Sequence, residues 1–306
     1  MESNNDIFSD LSTRMVNIGA HVLINEPLSA HCTFRIGGPA ALMAFPANME
    51  HFTGILDILR TSDVRYTVIG NGSDLLFDDA GYDGVVVSTT KLRQTVAEGE
   101  VLYAECGASC SGMAQKAAKA GLSGLEFAYG IPGTCGGAVF MNAGAYGSEI
   151  SALSPVVDCF DMFSGERVML SGSDLDMSYR HSIFTRRPEL IILGARLQLA
   201  YGDSDKIRKT MEDNMSCRRA KQPLEYPSAG SVFKRRDGYY MGRVIQDCGL
   251  KGCRIGGAQV SEKHAGFIVN RGGATCEEVL KLISHIQNVV VEEYGFMPEC
   301  EIRYIR

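Results

Sequence analysis

Apolar residues recur along this chain in two rhythms, and the change from one to the other marks out its elements. Ile7, Leu11, Met15 and Val16 fall on one helical face, predicting a short amphipathic helix over residues 6–17. From about residue 33, apolar runs of strand length alternate with helical stretches. Arg65–Ile69 and Gly84–Ser88 read as strands, the second bounded by an Asp83–Gly84 turn signal. Ser109–Ala120 reads as a helix, since Ala114, Ala117 and Ala118 favour it and Gly121 supplies a stop. Val156–Met162 and Arg167–Leu170, joined at Ser164–Gly165, read as a hairpin, and Leu190–Leu199 as a further strand.

A charged helix from Ser204 to about Arg219 carries Ile207, Met211 and Met215 on one stripe. It runs into Lys221–Gln222–Pro223, which reads as the hinge into a second lobe. There Thr275, with Glu278 three residues later, forms a capping-box signature. Val279, Ile283, Ile286 and Val290 then repeat at helical spacing up to Tyr294. Strands over Gly266–Asn270 and Cys300–Ile305 flank that helix, so a strand–helix–strand unit is expected to close the chain. The whole is α+β rather than a regular βαβ array. At 306 residues it exceeds what one hydrophobic core usually organises, which predicts two lobes.

Composition narrows the partners. Hydrophobic residues at 45% and charged residues at 22% suit a folded chain, and no apolar run reaches the ~18 residues of a membrane helix. The first ten residues, MESNNDIFSD, have neither the basic start nor the apolar stretch of a secretory leader, so a cytoplasmic protein is expected. With a formal charge of −6 and scattered basic residues, neither nucleic acid nor membrane is an expected partner. The ten cysteines form no CxxC pair and HExxH is absent, so no metal centre is expected.

Glycine changes the picture. It supplies 34 of 306 residues, above the usual share of about 7%. The excess clusters at Ile69–Gly72, Gly121–Gly147, Gly249–Gly257 and Gly266–Gly273, where backbone either turns tightly or approaches something closely. In Ile69-Gly70-Asn71-Gly72-Ser73-Asp74-Leu75-Leu76, a loop after a strand offers backbone amides and a hydroxyl, the ingredients of an anion nest. Leu75 stands where a dinucleotide fingerprint needs its third glycine, and Leu76–Phe77 reads as strand, so a Rossmann assignment fails. The second cluster, Gly121 to Gly147, is dominated by small residues with Pro132 at the entry to a turn, and suits a large planar or pyrophosphate ligand.

Together these two segments resemble the pyrophosphate and isoalloxazine loops of the FAD domain of vanillyl-alcohol-oxidase-like flavoproteins. More narrowly, the chain resembles the MurB family of UDP-N-acetylenolpyruvoylglucosamine reductases. Tyr179-Arg180-His181-Ser182-Ile183-Phe184 is similar to that family's YRxSxF element. Gln222–Pro223 with Pro227-Ser-Ala-Gly230-Ser231-Val-Phe-Lys234 resembles its QP…SAGSVFK segment. Leu250 to Asn270 matches the region that shapes the sugar-nucleotide site, and Glu299-Cys300-Glu301-Ile302-Arg303 resembles the terminal ExE(V/I)R. The order is unbroken from about residue 25 to the end. Asp74 departs from a common Asn and Pro298 from a usual aliphatic residue. Only about 50 residues separate Arg180 from Ser231, which resembles the shorter second type of the family.

The resemblance implies an α+β fold: a two-part PCMH-type FAD-binding domain over 33–200, preceded by a lead-in over 1–32, then a smaller α/β substrate-binding domain over 201–306. It implies an NADPH-dependent reduction of the enolpyruvyl ether on a UDP-sugar through FAD, in peptidoglycan precursor synthesis. No histidine lies in residues 69–79, so the flavin is expected to be noncovalent at that loop. Gly70, Asn71, Gly72, Ser73, Asp74, Ile131, Pro132, Gly133, Thr134, Gly136, Gly137, Asn142 and Gly144 are the expected cofactor residues. Arg180 suits the substrate carboxylate because a guanidinium grips it bidentately, Glu301 is expected to share that stabilisation, and Ser231 to donate the proton. Lys221, Lys234, Gln259, Lys263 and Asn270 are the expected UDP-sugar contacts. The competing assignments are a flavin-dependent sugar or hydroxy-acid oxidase on the same fold and an inactive nucleotide-sugar-binding module.

Overall fold

The computed structural model describes residues 4–306, and the side chains from Asp6 onward. Two compact units divide the chain by contact, and neither is continuous in sequence. The first comprises the chain up to Ile24, then Leu42–Asn71 and Gly84–Cys217. The second gathers Asn25–Ala41, Gly72–Asp83 and Arg218–Arg306. Two short excursions therefore leave the first unit before the chain departs finally at 217/218, a division that a linear reading at 32/33 and 200/201 does not contain.

The first unit is built on a five-stranded antiparallel sheet ordered Glu166–Ser171, Val156–Asp161, Leu190–Gln198, Val101–Glu105, Thr95–Glu98. The predicted hairpin is present, with Val156 opposite Ser171 and Gly165 at φ 76° in its turn. Helix α1 (Asn4–Asn17) buries Leu11 and Met15, and α2 (Met49–Arg60) buries Phe52, Ile55, Leu56 and Leu59. Helix α3 (Cys110–Lys119) begins at Ser109, whose hydroxyl accepts the Gly112 N–H at 3.1 Å. Helix α4 (Cys135–Phe140) packs against the Leu190–Gln198 strand. Tyr66–Ile69 runs parallel to Val85–Ser88. That second strand begins at Tyr82, so Asp83–Gly84 lies inside it and is not a turn. The turn sits earlier, where the Gly81 N–H donates to Asp78 O at 3.0 Å and Gly81 adopts φ 93°. Gly81 needs the left-handed region; Gly84 does not.

Helix α5 (Ser204–Lys221) follows and buries Ile207 and Met211 as the stripe predicts. The second unit then holds α6 (Met241–Asp247), α7 (Cys276–Tyr294) and a three-stranded antiparallel sheet of Arg254–Ile255, Ala258–Val260 and Ile268–Asn270. The strands flanking α7 do not share a sheet. Ile268–Asn270 pairs with Ala258–Val260, whereas the terminal strand is only Arg303–Ile305 and runs parallel to Leu75–Phe77. Cys300 instead makes an isolated bridge to Phe233, so the expected strand over 300–305 is split between two partners.

The start of α7 is tied down by both halves of its capping box. Thr275 Oγ1 accepts the Glu278 N–H at 3.2 Å, and the Glu278 carboxylate accepts the N–H groups of Thr275 (3.1 Å) and Gly257 (2.9 Å). Asp79 adds a second carboxylate, accepting the N–H groups of Cys276 at 2.8 Å and Glu277 at 3.1 Å. The Gly257 and Thr275 amides hold the Glu278 pKa below its ordinary 4.5. A depressed acid contributes stability that is present above 4.5 and lost as pH falls through the folded value. Glu278→Gln should therefore flatten part of the acid limb of stability, read as denaturant midpoints between pH 7 and pH 3. Thr275→Ala should lower stability by about 1 kcal/mol at neutral pH.

Candidate active site

The glycine loops of the first unit lock onto one another. The Tyr66–Ile69 strand delivers Gly70 against Thr134 so closely that a Cβ there would sit 2.2 Å from Thr134 Oγ1. Asn71 Nδ2 donates to Pro132 O at 2.7 Å. Behind them, residues 133–136 are zipped to 106–110: Cys110 N–H donates to Gly133 O (3.0 Å), Cys135 N–H to Ala108 O (2.7 Å) and Gly136 N–H to Cys106 O (2.8 Å). Thr134 is buried and caps α4. Gly137 is exposed, and the nearest atom to a Cβ built on it is Thr134 Oγ1 at 3.7 Å, so the segment presents a bare face. Ile131 is half-buried beside the exposed Pro132.

Arg180 is placed by the second half of that glycine-dense stretch. It sits inside a tight turn closed by two main-chain bonds, Ser178 N–H to His181 O (3.1 Å) and His181 N–H to Ser178 O (3.0 Å). Its φ is 53°, a left-handed conformation that costs a non-glycine residue about 1 kcal/mol or more. The guanidinium lies 4.9 Å from the centre of the Tyr179 ring and Nη2 donates to Gly144 O at 3.4 Å. Ser182, fully buried, donates to Phe140 O at 2.6 Å and anchors the turn from below. Asn142, also fully buried, uses its amide entirely inside the unit. Its Nδ2 donates to Glu149 Oε1 (3.0 Å), Ser178 O (3.0 Å) and Ser151 Oγ (3.4 Å), while Oδ1 accepts the Ser151 N–H (2.9 Å). A side chain committed in this way shapes the loop rather than reaching a ligand.

In the second unit, Gly72 adopts φ 57° with its carbonyl accepting the Thr33 N–H at 3.2 Å. A Cβ on Gly72 would lie 2.6 Å from His31 O. Ser73 follows, and Asp74 O accepts the Arg303 N–H at 2.9 Å. Burial pushes the Arg303 pKa down, and the Asp74 carboxylate opposes that by favouring the cation. The negative charge introduced by Asp74 therefore has a cation on the neighbouring strand.

Ser231 and Glu301, 70 residues apart in sequence, are joined by main chain. Phe233 bridges Cys300, and Lys234 N–H donates to Glu299 O at 2.9 Å. Glu301 N–H donates at 2.7 Å to Val232 O, the residue beside Ser231. Ser231 in turn bridges Phe267, and the Val232 N–H donates to Gly266 O at 2.9 Å. Gly230 has φ 78° and nothing within 4 Å of where a side chain would stand, so the residue before Ser231 leaves open space. Pro298 is buried, and its carbonyl accepts Gln287 Nε2 at 2.9 Å.

The expected sugar-nucleotide residues fare unequally. Lys221 is exposed at the end of α5. Lys234 pairs with Glu299 at 2.5 Å, and Lys263 donates to Arg219 O at 2.8 Å with Glu225 3.7 Å away. Gln259 Nε2 donates to Gly252 O at 3.0 Å. Asn270 is buried and its amide is taken up internally. Nδ2 donates to Phe34 O (3.2 Å) and Arg35 O (3.5 Å), and Oδ1 accepts the N–H groups of Gly272 and Ala274. The ligand contact expected of Asn270 is replaced by a staple across its own unit. Thr33, which no local pattern singles out, donates to Ser228 O at 2.7 Å and braces the segment that leads to Ser231. Among the described residues no cluster of three or more His, Cys, Asp or Glu could hold a metal ion. No described helix is long and apolar enough to cross a membrane.

Comparison with known proteins bears on these two loop systems directly. Residues 40–164 match the FAD binding domain family, and residues 222–305 match the C-terminal domain family of UDP-N-acetylenolpyruvoylglucosamine reductase. The UDP-N-acetylenolpyruvoylglucosamine reductase of Caldanaerobacter subterraneus subsp. tengcongensis is 47% identical over 281 residues, 91% of this chain and 92% of that one. The protein of the same name from Caldicellulosiruptor saccharolyticus is 46% identical over 92% of this chain and 91% of its own. The chain belongs to the UDP-N-acetylenolpyruvoylglucosamine reductase family. The crystal structure of the family member from Thermus caldophilus superposes with a TM-score of 0.79 at 32% identity, covering 94% of this chain and 99% of that one. The resemblance drawn from these ordered motifs thus extends to the whole fold, an α+β FAD-binding domain joined to the family's C-terminal domain. With the family a reductase, the oxidase alternative loses its support.

The residues present suit FAD. Asn71 and the glycine amides of the first unit are neutral donors of the kind a pyrophosphate needs. Gly70 leaves no space on its Thr134 side, while Gly137 leaves its outer face clear. Asp74 is the one carboxylate in the first loop up to Leu76, and Arg303 offsets it.

Proposed function

We propose that the protein reduces UDP-N-acetylenolpyruvoylglucosamine to UDP-N-acetylmuramate in peptidoglycan precursor synthesis, with NADPH as hydride donor and noncovalent FAD, in the cytoplasm. The observation that supports this assignment is the match of residues 222–305 to the family's C-terminal domain, within which the Glu301 N–H donates to Val232 O, the residue beside Ser231. FAD, when bound, relays hydride from NADPH to the outer carbon of the enolpyruvyl group. Every other requirement falls on side chains. Hydride addition leaves negative charge on the adjacent carbon and its carboxylate, and Arg180 grips that carboxylate with a charge it cannot lose. Ser231 gives its hydroxyl proton to the carbanionic carbon, a base strong enough to take it. Glu301 shares the stabilisation and relies on a cation or a proton of its own to stand beside a second carboxylate. Lys221, Lys234 and Lys263 supply positive charge for the diphosphate, with Gln259 as a polar neighbour. Residues 33–200 serve the flavin and contribute Arg180, and 201–306 serve the sugar nucleotide. Nicotinamide and enolpyruvyl group use one site in turn, since both must reach the same flavin edge.

The test is spectroscopic. Purified protein should be yellow, bleach anaerobically with NADPH and recover its colour when the enolpyruvyl substrate is added. Protein without flavin, or reduced flavin indifferent to that substrate, would refute the assignment. The loop assignment has its own check. Gly70→Ala should overpack the Thr134 contact by about 1–3 kcal/mol, weakening flavin retention roughly tenfold or more, measured as flavin released on dilution.

A further inference from the structure

Arg180 is held in a conformation that arginine disfavours, so something must over-determine it. The surroundings identify what does. Glu149 Oε1 accepts from Asn142 Nδ2 at 3.0 Å and from Ser151 Oγ at 2.6 Å. Asn142 passes the constraint on, donating to the carbonyl of Ser178, the first residue of the turn that contains Arg180. The main chain of Glu149 constrains the other end of the arginine. It pairs with Gly144, whose carbonyl receives the Arg180 guanidinium. A Cβ on Gly144 would meet Glu149 Cβ at 2.7 Å, so the two strands are in the closest contact backbone allows. One residue therefore braces both the backbone of the Arg180 turn and the carbonyl its side chain rests on. Its bonds to Asn142 and Ser151 accept on a carboxylate, the stronger class of hydrogen bond.

We propose that Glu149 is a positioning residue that fixes Arg180, through Asn142 and Gly144, in the geometry that receives the substrate carboxylate. This rests on the function proposed above. Glu149 touches no reacting atom in this scheme; it sets where the guanidinium stands. Displacement of a catalytic group by about 1 Å can slow a reaction roughly 100-fold, so small motion of the turn has a large effect.

The experiment compares half-reactions in full-length, flavin-loaded variants. Glu149→Ala should leave NADPH reduction of the flavin within about twofold, and slow reoxidation by the enolpyruvyl substrate roughly 10- to 100-fold. Glu149→Gln keeps an acceptor oxygen for Asn142 and should recover most of that loss. Should the alanine variant not fold, Glu149→Asp withdraws the carboxylate by one methylene and should give the same signature. In an Arg180→Ala background Glu149→Ala should add no further loss. The proposal is overturned by equal slowing of both half-reactions, by no slowing, or by a full additional loss in the Arg180→Ala background. Hydrogen exchange separates it from the assigned reaction, being independent of turnover. The His181 amide, which donates to Ser178 O, should exchange faster in Glu149→Ala than in wild type. If it does not, Glu149 is no brace, whatever the substrate; if wild-type reduced flavin ignores the substrate, the reaction assignment alone fails.

Discussion

Ser231→Ala should slow reoxidation of the reduced flavin by the enolpyruvyl substrate by about 10²–10⁴-fold, the range a positioned general acid contributes. Flavin reduction by NADPH should proceed at close to the wild-type rate, since no proton is delivered to substrate in that half. The two half-reactions are separable by stopped-flow absorbance, one starting from oxidised protein and NADPH, the other from reduced protein and substrate. Serine is a weak acid and would be a poor choice for protonating an ordinary leaving group. Its use is reasonable only where the acceptor is a strongly basic carbon and the hydroxyl is held still. The main chain around Ser231 is fixed: it bridges Phe267 on one side, while the next residue receives Glu301 on the other, so the hydroxyl projects from a rigid backbone. Ser231→Cys offers a contrast. It retains a transferable proton in nearly the same place and should keep more activity than alanine. Equal impairment of both half-reactions in Ser231→Ala would assign the residue to flavin binding instead.

Sequence reading succeeded where local chemistry determines the element. Ser109 and Thr275 begin α3 and α7 because their hydroxyls accept the amides three residues on. Gly165 turns the hairpin because its φ of 76° suits glycine. It failed where distant chain decides. Cys135–Phe140 contains two glycines and lies in the small-residue stretch that resembles a flavin loop, yet it is helical, capped by Thr134 and packed on the Leu190–Gln198 strand. Asp83–Gly84 has the composition of a turn, but Gly81 supplies the positive φ that the turn needs. No periodicity could pair Arg303–Ile305 with Leu75–Phe77 across more than 220 residues. The site shows the same limit. Residue type and motif singled out Asn142 and Asn270, but an amide that binds a ligand and one that staples a loop are the same letter. Only the surrounding carbonyls and N–H groups reveal that both side chains face inward.

Arg180→Gly provides the sharpest separation of activity from folding. At φ 53° glycine is unstrained, whereas arginine gives up about 1 kcal/mol to stand there. The variant should therefore fold with stability within about 1 kcal/mol of wild type, the relief of strain being offset by a more flexible unfolded chain. Flavin content should be unchanged, because the Arg180 bond to Gly144 O is long at 3.4 Å and the loops at Gly70 and Thr134 are held by their own main-chain bonds. Substrate reduction should nevertheless fall by about 10²–10³-fold, the loss typical of deleting one charge-stabilising group from a reaction centre. Arg180→Lys keeps the charge without the planar fork, and should lie between glycine and wild type. The pattern in kcat and KM matters as much as the size. A guanidinium that grips the carboxylate before hydride arrives lowers KM; one that grips harder as charge grows raises kcat, so both should move. A variant that binds flavin, folds and turns over within tenfold of wild type would remove Arg180 from the mechanism. The backbone strain argues against that outcome: arginine occupies a conformation in which glycine would be easier, and strain of that kind collects where a side chain has work to do.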